Sequence, residues 1–211
     1  MLDGYVSEKE QIESIRKWWT ENGKFIAIAI IIGLAIGFGW RYFHTFEKRR
    51  AENAAMVYQS VTQADAQGDI TTAQGGAKVL MDQFLGSPYA SLAALLSAKE
   101  SVAQNQLPAA LTQLQWVIKN SNQKRLQQVA RIYAARILLA QHNSVAAMNE
   151  LKIVNDKSFE PLINWVKGDI DAQNGDATKA RAHYADAKSA LAEFPPAVDF
   201  LDKQIAQPIN K

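Results

Sequence analysis

Three carboxylates crowd a short stretch late in the chain, Asp169, Asp171 and Asp176, and acidic side chains this close together are the raw material of a calcium site. Their spacing does not complete one. They straddle a helical segment and a turn, and the glutamate that closes a calcium loop is missing, so they read as a solvated face and turn residues. The histidines His44, His142 and His183 are isolated from one another in sequence, with no ligand set at metal spacing. There is no cysteine, hence no disulfide, thiolate nucleophile or sulfur ligand, and a thiol-free chain suits an oxidising compartment. No nucleophile motif, phosphate loop or dinucleotide fingerprint appears either. The expectation is a protein without catalysis, metal or cofactor, whose chemistry is that of contact.

The contact surface depends on how helices are arranged. From Ala51 onward Ala, Leu, Gln and Lys are abundant, apolar residues return at three- and four-residue intervals, and strict alternation is missing, so the segment reads as all-α. Polar breaks such as Gln67-Gly68-Asp69, Gly86-Ser87-Pro88, Asn105-Gln106-Leu107-Pro108, His142-Asn143-Ser144 and Asn174-Gly175-Asp176 divide it into roughly eight helices. Ser87 before Pro88 is an expected N-cap, and Ser158 ahead of Pro161 is expected to act similarly.

An internal repeat emerges when these helices are paired. Gly168, Ala180, Tyr184 and Ala187, around a Gly175-Asp176 turn, resemble the second half of a tetratricopeptide-repeat (TPR) consensus. Ala135, Ala147, Leu151 and Val154 form the preceding copy, Ala98, Ala110, Leu114 and Val117 the one before it, and Val61, Ala73, Ala77 and Leu80 the first. Successive offsets are 37, 37 and 33 residues, close to the period of about 34 expected for this repeat. The competing arrangement is a plain helical bundle with Ala-rich contacts. Repeats roughly at 54–84, 88–119, 124–156 and 160–193, followed by a C-terminal tail, would stack as an α-solenoid of about four hairpins.

The inner helices of such a stack line its binding surface. Counting back from the small residue of each copy, the groove should include Leu92, Leu95 and Lys99, then Val129, Ile132 and Arg136, then Leu162, Trp165 and Asp169. It would be mainly apolar and lacks the Lys/Asn/Arg set that clamps a terminal carboxylate. Extended or incompletely folded polypeptide, or an amphipathic helix, fits such a trough. Burial of any of these residues against the next repeat is the simpler alternative.

Ahead of the repeats lies a segment that water should not tolerate. Phe25 to Trp40 is sixteen residues without a charge, carrying Phe25, Ile26, Ile28, Ile30, Ile31, Ile32, Leu34, Ile36, Phe38 and Trp40. At about 1.5 Å per residue the run covers roughly 24 Å, and continuing it through Tyr42 and Phe43 approaches a hydrocarbon core of about 30 Å. A buried core helix and a cleaved signal peptide are the alternatives. The first lacks other segments apolar enough to surround it, and the second is opposed by the long charged leader and the aromatics beyond Gly39. The expected layout is an amphipathic tail at 1–23, a transmembrane helix at 24–43 and a TPR-like domain at 44–211. In the tail Ile12, Ile15 and Trp19 share one helical face, suited to the bilayer interface. Gly33 and Gly37 form a weak small-xxx-small pattern.

Charge narrows the partners but not the topology. The chain carries 23 Lys and Arg against 21 Asp and Glu, and from Ala51 onward the two are balanced at fifteen each. A domain without net field or basic stripe is not built for nucleic acid. Basic residues flank the span on both sides, Lys9, Arg16, Lys17 and Lys24 before it and Arg41, Lys48, Arg49 and Arg50 after it, so the positive-inside rule does not set the orientation.

Taken together, Trp18-Trp19, Glu21-Asn22-Gly23-Lys24 before the span, Gly39-Trp40-Arg41-Tyr42 at its exit and the Ala-rich repeats resemble the ancillary SecYEG translocon subunit (YfgM-like) family. The resemblance implies a single-pass protein of the bacterial inner membrane, amino terminus in the cytoplasm and TPR domain in the periplasm. It also implies association with SecYEG and the periplasmic chaperone PpiD, helping exported, unfolded polypeptides reach chaperones, and it carries over no catalytic residue. The alternative is a TPR scaffold or regulator of an envelope or signalling complex with no part in secretion.

Overall fold

No proline stands between Glu8 and Ala66, and the chain runs there as one α-helix of 59 residues, α1 (Glu8–Ala66). The computed structural model describes residues 8–190; the start of the tail, the end of the fourth repeat and the C-terminal tail lie outside the described residues. The chain divides into two units, the first ending at Ala51 and the second beginning at Glu52.

In the first unit the apolar residues have nothing to cover them. Phe25, Ile36, Phe38 and Trp40 are 62%, 66%, 70% and 67% exposed, and Ile28, Ile30, Ile31, Ile32 and Leu34 are exposed as well, with only Ile26 partly covered. None of the apolar window is buried within the protein, which rules against a core helix. Leaving this many large aliphatic and aromatic side chains in water would cost about 1.5–3 kcal/mol apiece relative to an apolar surrounding. Length and composition make it the one candidate membrane span among the described residues. Ile12, Ile15, Trp18 and Trp19 are exposed along the same helix.

The second unit consists of helices in antiparallel succession. After the end of α1 come α2 (Ile70–Gln83), α3 (Pro88–Ala103), α4 (Leu107–Asn120), α5 (Lys124–Ala140), α6 (Ser144–Ile153), a short 3-10 turn (Lys157–Phe159), α7 (Glu160–Gln173) and α8 (Ala177–Ala190). Helix α3 packs on α4, α5 on α6 and α7 on α8, while α2, α4 and α6 each meet the next pair's leading helix. Leading helices also touch in succession, α3 with α5 and α5 with α7, as stacked hairpins require.

The repeat register is written in the turns. Gly68, Asn105, His142 and Gly175 occupy one position of the four copies, and all four have positive φ, at 76°, 58°, 60° and 81°. The following residue's N–H then reaches back to a carbonyl five residues earlier: Asp69 to Ala64, Gln106 to Ser101, Asn143 to Leu138 and Asp176 to Asp171, at 2.7–2.9 Å. This closes each leading helix with a Schellman-type end. The same residue opens the next helix. Asp69, Asn143 and Asp176 accept from the N–H of Thr72, Ala146 and Lys179 at 3.1 Å, whereas Gln106 makes no side-chain cap.

Ser87 caps α3 as expected, accepting from the Tyr89 N–H with Pro88 in the first turn. Ser158 does not cap α7. Asp156 instead caps the 3-10 turn that precedes α7, accepting from the Ser158 N–H at 2.9 Å, and α7 itself follows Phe159 without a side-chain cap.

All sixteen residues aligned by the repeat are buried. Within each copy the leading-helix residue shares a core cluster with the trailing-helix residue sixteen positions on: Val61 with Ala77, Ala98 with Leu114, Ala135 with Leu151. In the last copy the pair is Gly168 and Tyr184, in direct contact. Two of the buried polar residues, Ser97 and Ser101, and a part-buried ion pair tie helices together within the pairs. Gln113 of α4 donates to Ser97 Oγ at 2.9 Å and accepts from Ser101 Oγ at 3.1 Å, and Arg131 of α5 pairs with Glu150 of α6 at 2.6 Å.

Candidate protein-binding groove

Within the second unit, two successive leading helices, α3 and α5, stand beside a cavity of 690 Å³. Leu92, Leu95, Leu96, Lys99 and Val102 line it from α3, and Val129, Tyr133, Arg136, Ile137 and Ala140 from α5. Tyr58 of α1 and Leu107 of α4 add to the rim, and the buried pair Ala98 and Leu114 touches its floor. The size falls within the ~300–1,000 Å³ of sites that engulf a ligand, and the lining is mainly aliphatic and aromatic.

Five of the nine residues expected from the repeat meet here: Leu92, Leu95, Lys99, Val129 and Arg136. The other four do not. Ile132 is 3% exposed, enclosed in the core cluster that also holds Leu151, Val166 and Ile170, so α7 and α6 take the face it was expected to present. Trp165 is partly buried against the Tyr184 cluster, and Leu162 is 39% exposed on α7 away from this cavity. Asp169 is a partly buried link to α8, accepting from the Tyr184 hydroxyl at 2.8 Å. Tyr58, Leu96, Val102, Leu107, Tyr133 and Ile137 were not anticipated. Val102 lies one helical turn after Lys99 and Tyr133 one turn before Arg136, and that periodicity was the signal available for these two.

The cavity's charged groups are cationic. No Asp or Glu lines it, while Lys99 and Arg136 do. Lys99 Nζ lies 3.0 Å from Glu100 and 3.6 Å from Asp65, and the Glu100 carboxylate, then Asp65, hold its ammonium above the usual lysine range. Arg136 forms no ion pair within 4.0 Å among the described residues. Its charge is felt by Asp169: burial pushes that carboxyl up, and the Tyr184 hydroxyl and Arg136 oppose the rise. Burial, with the neighbouring Asp169, likewise pushes the Tyr184 phenol up, so it stays a proton donor.

Elsewhere the polar residues have structural work. His183 Nδ1 meets Asp171 Oδ2 at 2.8 Å, joining α8 to α7, His142 forms a turn, and His44 lies edge-on to Trp40. Asp176 is a cap. No group of three His, Asp or Glu residues could hold a metal among the described residues. A second cavity of 330 Å³, between the end of α6 and α7, mixes Lys152, Lys157 and Lys167 with Asp156 and Glu160 and has no single character.

An exposed apolar helix of spanning length and a stack of helical hairpins with an apolar groove define a class, the membrane-anchored helical-repeat proteins. The chain belongs to the tetratricopeptide repeat-like domain family, whose model matches residues 16–203. Among its relatives is the Ancillary SecYEG translocon subunit of Escherichia coli (strain K12), 26% identical over 198 residues, which covers 92% of this chain and 95% of that protein. Proteins of the same name from Haemophilus influenzae (27% over 192 residues, 88% and 90% of the two chains) and Aggregatibacter actinomycetemcomitans (26% over 190 residues, 87% and 89%) are similar over nearly the same extent. No solved structure matches the chain. The homology to translocon-associated proteins and the one candidate span among the described residues fit a single-pass inner-membrane protein.

Proposed function

We propose that this protein is a non-catalytic, membrane-tethered binding module of the SecYEG translocon, with its amino-terminal tail in the cytoplasm and its repeat domain in the periplasm. There it helps pass newly exported, unfolded polypeptides to periplasmic chaperones, with PpiD as its membrane-anchored partner. The observation that carries the reading is the apolar cavity on consecutive leading helices, α3 and α5, where a repeat stack presents its binding face. The names of its relatives support the association with a SecYEG translocon. A tether matters energetically: anchoring near a channel raises the groove's effective concentration to about the millimolar range, so contacts too weak to act in free solution still capture an emerging chain.

A photocrosslinker at Leu95, in the groove, and one at Val145, exposed on α6 outside it, test this in cells holding an arrested export intermediate. Adducts of the Leu95 variant with the arrested chain or the chaperone, absent from the Val145 variant, are expected. Equal labelling from both positions, or none from either, would contradict the reading.

A further inference from the structure

Lys99 and Arg136 stand at the same place in successive repeats, each one residue after the buried small residue of its copy, yet their electrostatic situations differ. Lys99 is committed to Glu100 and Asp65. Arg136 is exposed at the cavity edge, has no carboxylate within ion-pair distance among the described residues, and acts at longer range on the part-buried Asp169, which is already bound to Tyr184. A guanidinium in this position offers a planar fork of donors beside an apolar surface that carries no acid of its own.

We propose that the groove selects polypeptide segments in which bulky apolar residues adjoin an internal acidic side chain, the carboxylate pairing with Arg136 while the apolar residues enter the cavity between α3 and α5. This rests on the reading of the groove as a polypeptide site and adds its specificity. Charge complementarity decides between occupants. A purely apolar segment leaves the Arg136 guanidinium beside an occupied, partly dehydrated site without a partner, and a basic segment places like charges together, whereas a carboxylate satisfies the fork with charge-assisted hydrogen bonds. A chain-terminal carboxylate is the less suited anion, because holding one requires several converging donors and Lys99 is already engaged.

The test uses the full chain in lipid nanodiscs and three fluorescent dodecapeptides, acetylated and amidated at their ends, rich in leucine and identical except for one central Glu, Gln or Lys. By fluorescence anisotropy the Glu peptide is expected to bind about tenfold more tightly than the Gln peptide, with the Lys peptide weakest. Arg136→Gln should erase the Glu preference, bringing the Glu and Gln peptides to equal affinity, and Arg136→Glu should turn the preference toward Lys. The Glu preference should also shrink as salt is raised from about 0.1 to 1 M. Equal binding of all three peptides to the unmodified chain would overturn the acidic selectivity while leaving a polypeptide groove in place. A Glu preference that persists in Arg136→Gln would overturn the assignment to this residue. If none of the three binds, the polypeptide groove itself is contradicted.

Discussion

The ring of Tyr184 occupies the space into which a side chain on Gly168 would project, and its hydroxyl donates to Asp169 Oδ1 at 2.8 Å, one residue further along α7. A methyl group at Gly168 would collide with the Tyr184 ring carbons, and that ring is only 1% exposed, with no free space to swing into. The other copies share out the volume differently, with Ala98 and Ala135 opposite Leu114 and Leu151, and Val61 opposite Ala77. Small faces large in every repeat, and the residue types trade.

Gly168→Ala is therefore expected to destabilise the repeat domain by about 1–3 kcal/mol through overpacking, despite alanine's better helix propensity. In a Tyr184→Leu background, which reproduces the pairing of the second and third copies, the same substitution should be neutral or favourable. Denaturant unfolding of the four chains of this cycle measures the coupling, expected at about 1 kcal/mol or more. Simple additivity would show that the two residues do not compete for one space.

Asp169 makes the domain's stability respond to pH in a particular sense. Its carboxyl is raised in the fold from the ordinary 3.8, chiefly by burial, so the folded state holds the proton more tightly than the unfolded one. Its contribution is fully present below 3.8 and is lost as the pH rises through the raised folded value. Asp169→Asn keeps an acceptor for Tyr184 and removes the charge. Relative to that variant, the unmodified chain should gain stability as the pH falls from about 7 toward about 4, as read by chemical unfolding at a series of pH values. The difference between chains is the quantity to follow, because the caps Asp69, Asp156 and Asp176 are lowered by their hydrogen bonds and act oppositely, losing their contribution as the pH falls.

The turns contain two correctable departures from the best chemistry. Gln106 begins α4 without a side-chain cap where the other copies use Asp or Asn, so Gln106→Asp should add about 1 kcal/mol. His142 holds φ of 60° where two other copies use glycine, and His142→Gly should add about 0.5–1 kcal/mol by relieving left-handed strain. Asn105→Gly should gain less, since asparagine tolerates that conformation. Melting of the three variants checks the order, and a loss of stability in His142→Gly would contradict it.

Much of this was legible in the residues. The repeat register was, because a buried contact between two helices demands a small or complementary side chain at fixed spacing, and Val61 through Ala187 keep that spacing whatever their identities. Gly68 and Gly175 announced their turns. Asn105 and His142 announced breaks without announcing left-handed backbone, since neither residue type requires it. The span was legible from hydropathy alone, but the unbroken helix from Glu8 to Ala66 was not, as nothing local distinguishes one long helix from two that meet near Arg50. The groove was legible in part. Counting positions from each small residue found Leu92, Leu95, Lys99, Val129 and Arg136, but it treated every repeat alike, and Ile132 is covered because the hairpin after it brings Val166 and Ile170 onto that face. How one hairpin covers another depends on distant side chains, which a single copy does not record.

A repeat domain that works outside the inner membrane is the central claim, and protease accessibility in spheroplasts tests it most directly. With the outer membrane opened and the inner membrane intact, added protease should degrade the repeat domain and leave the amino-terminal tail and span protected. A repeat domain that survives until the inner membrane is dissolved would place the groove out of reach of exported chains and contradict the claim.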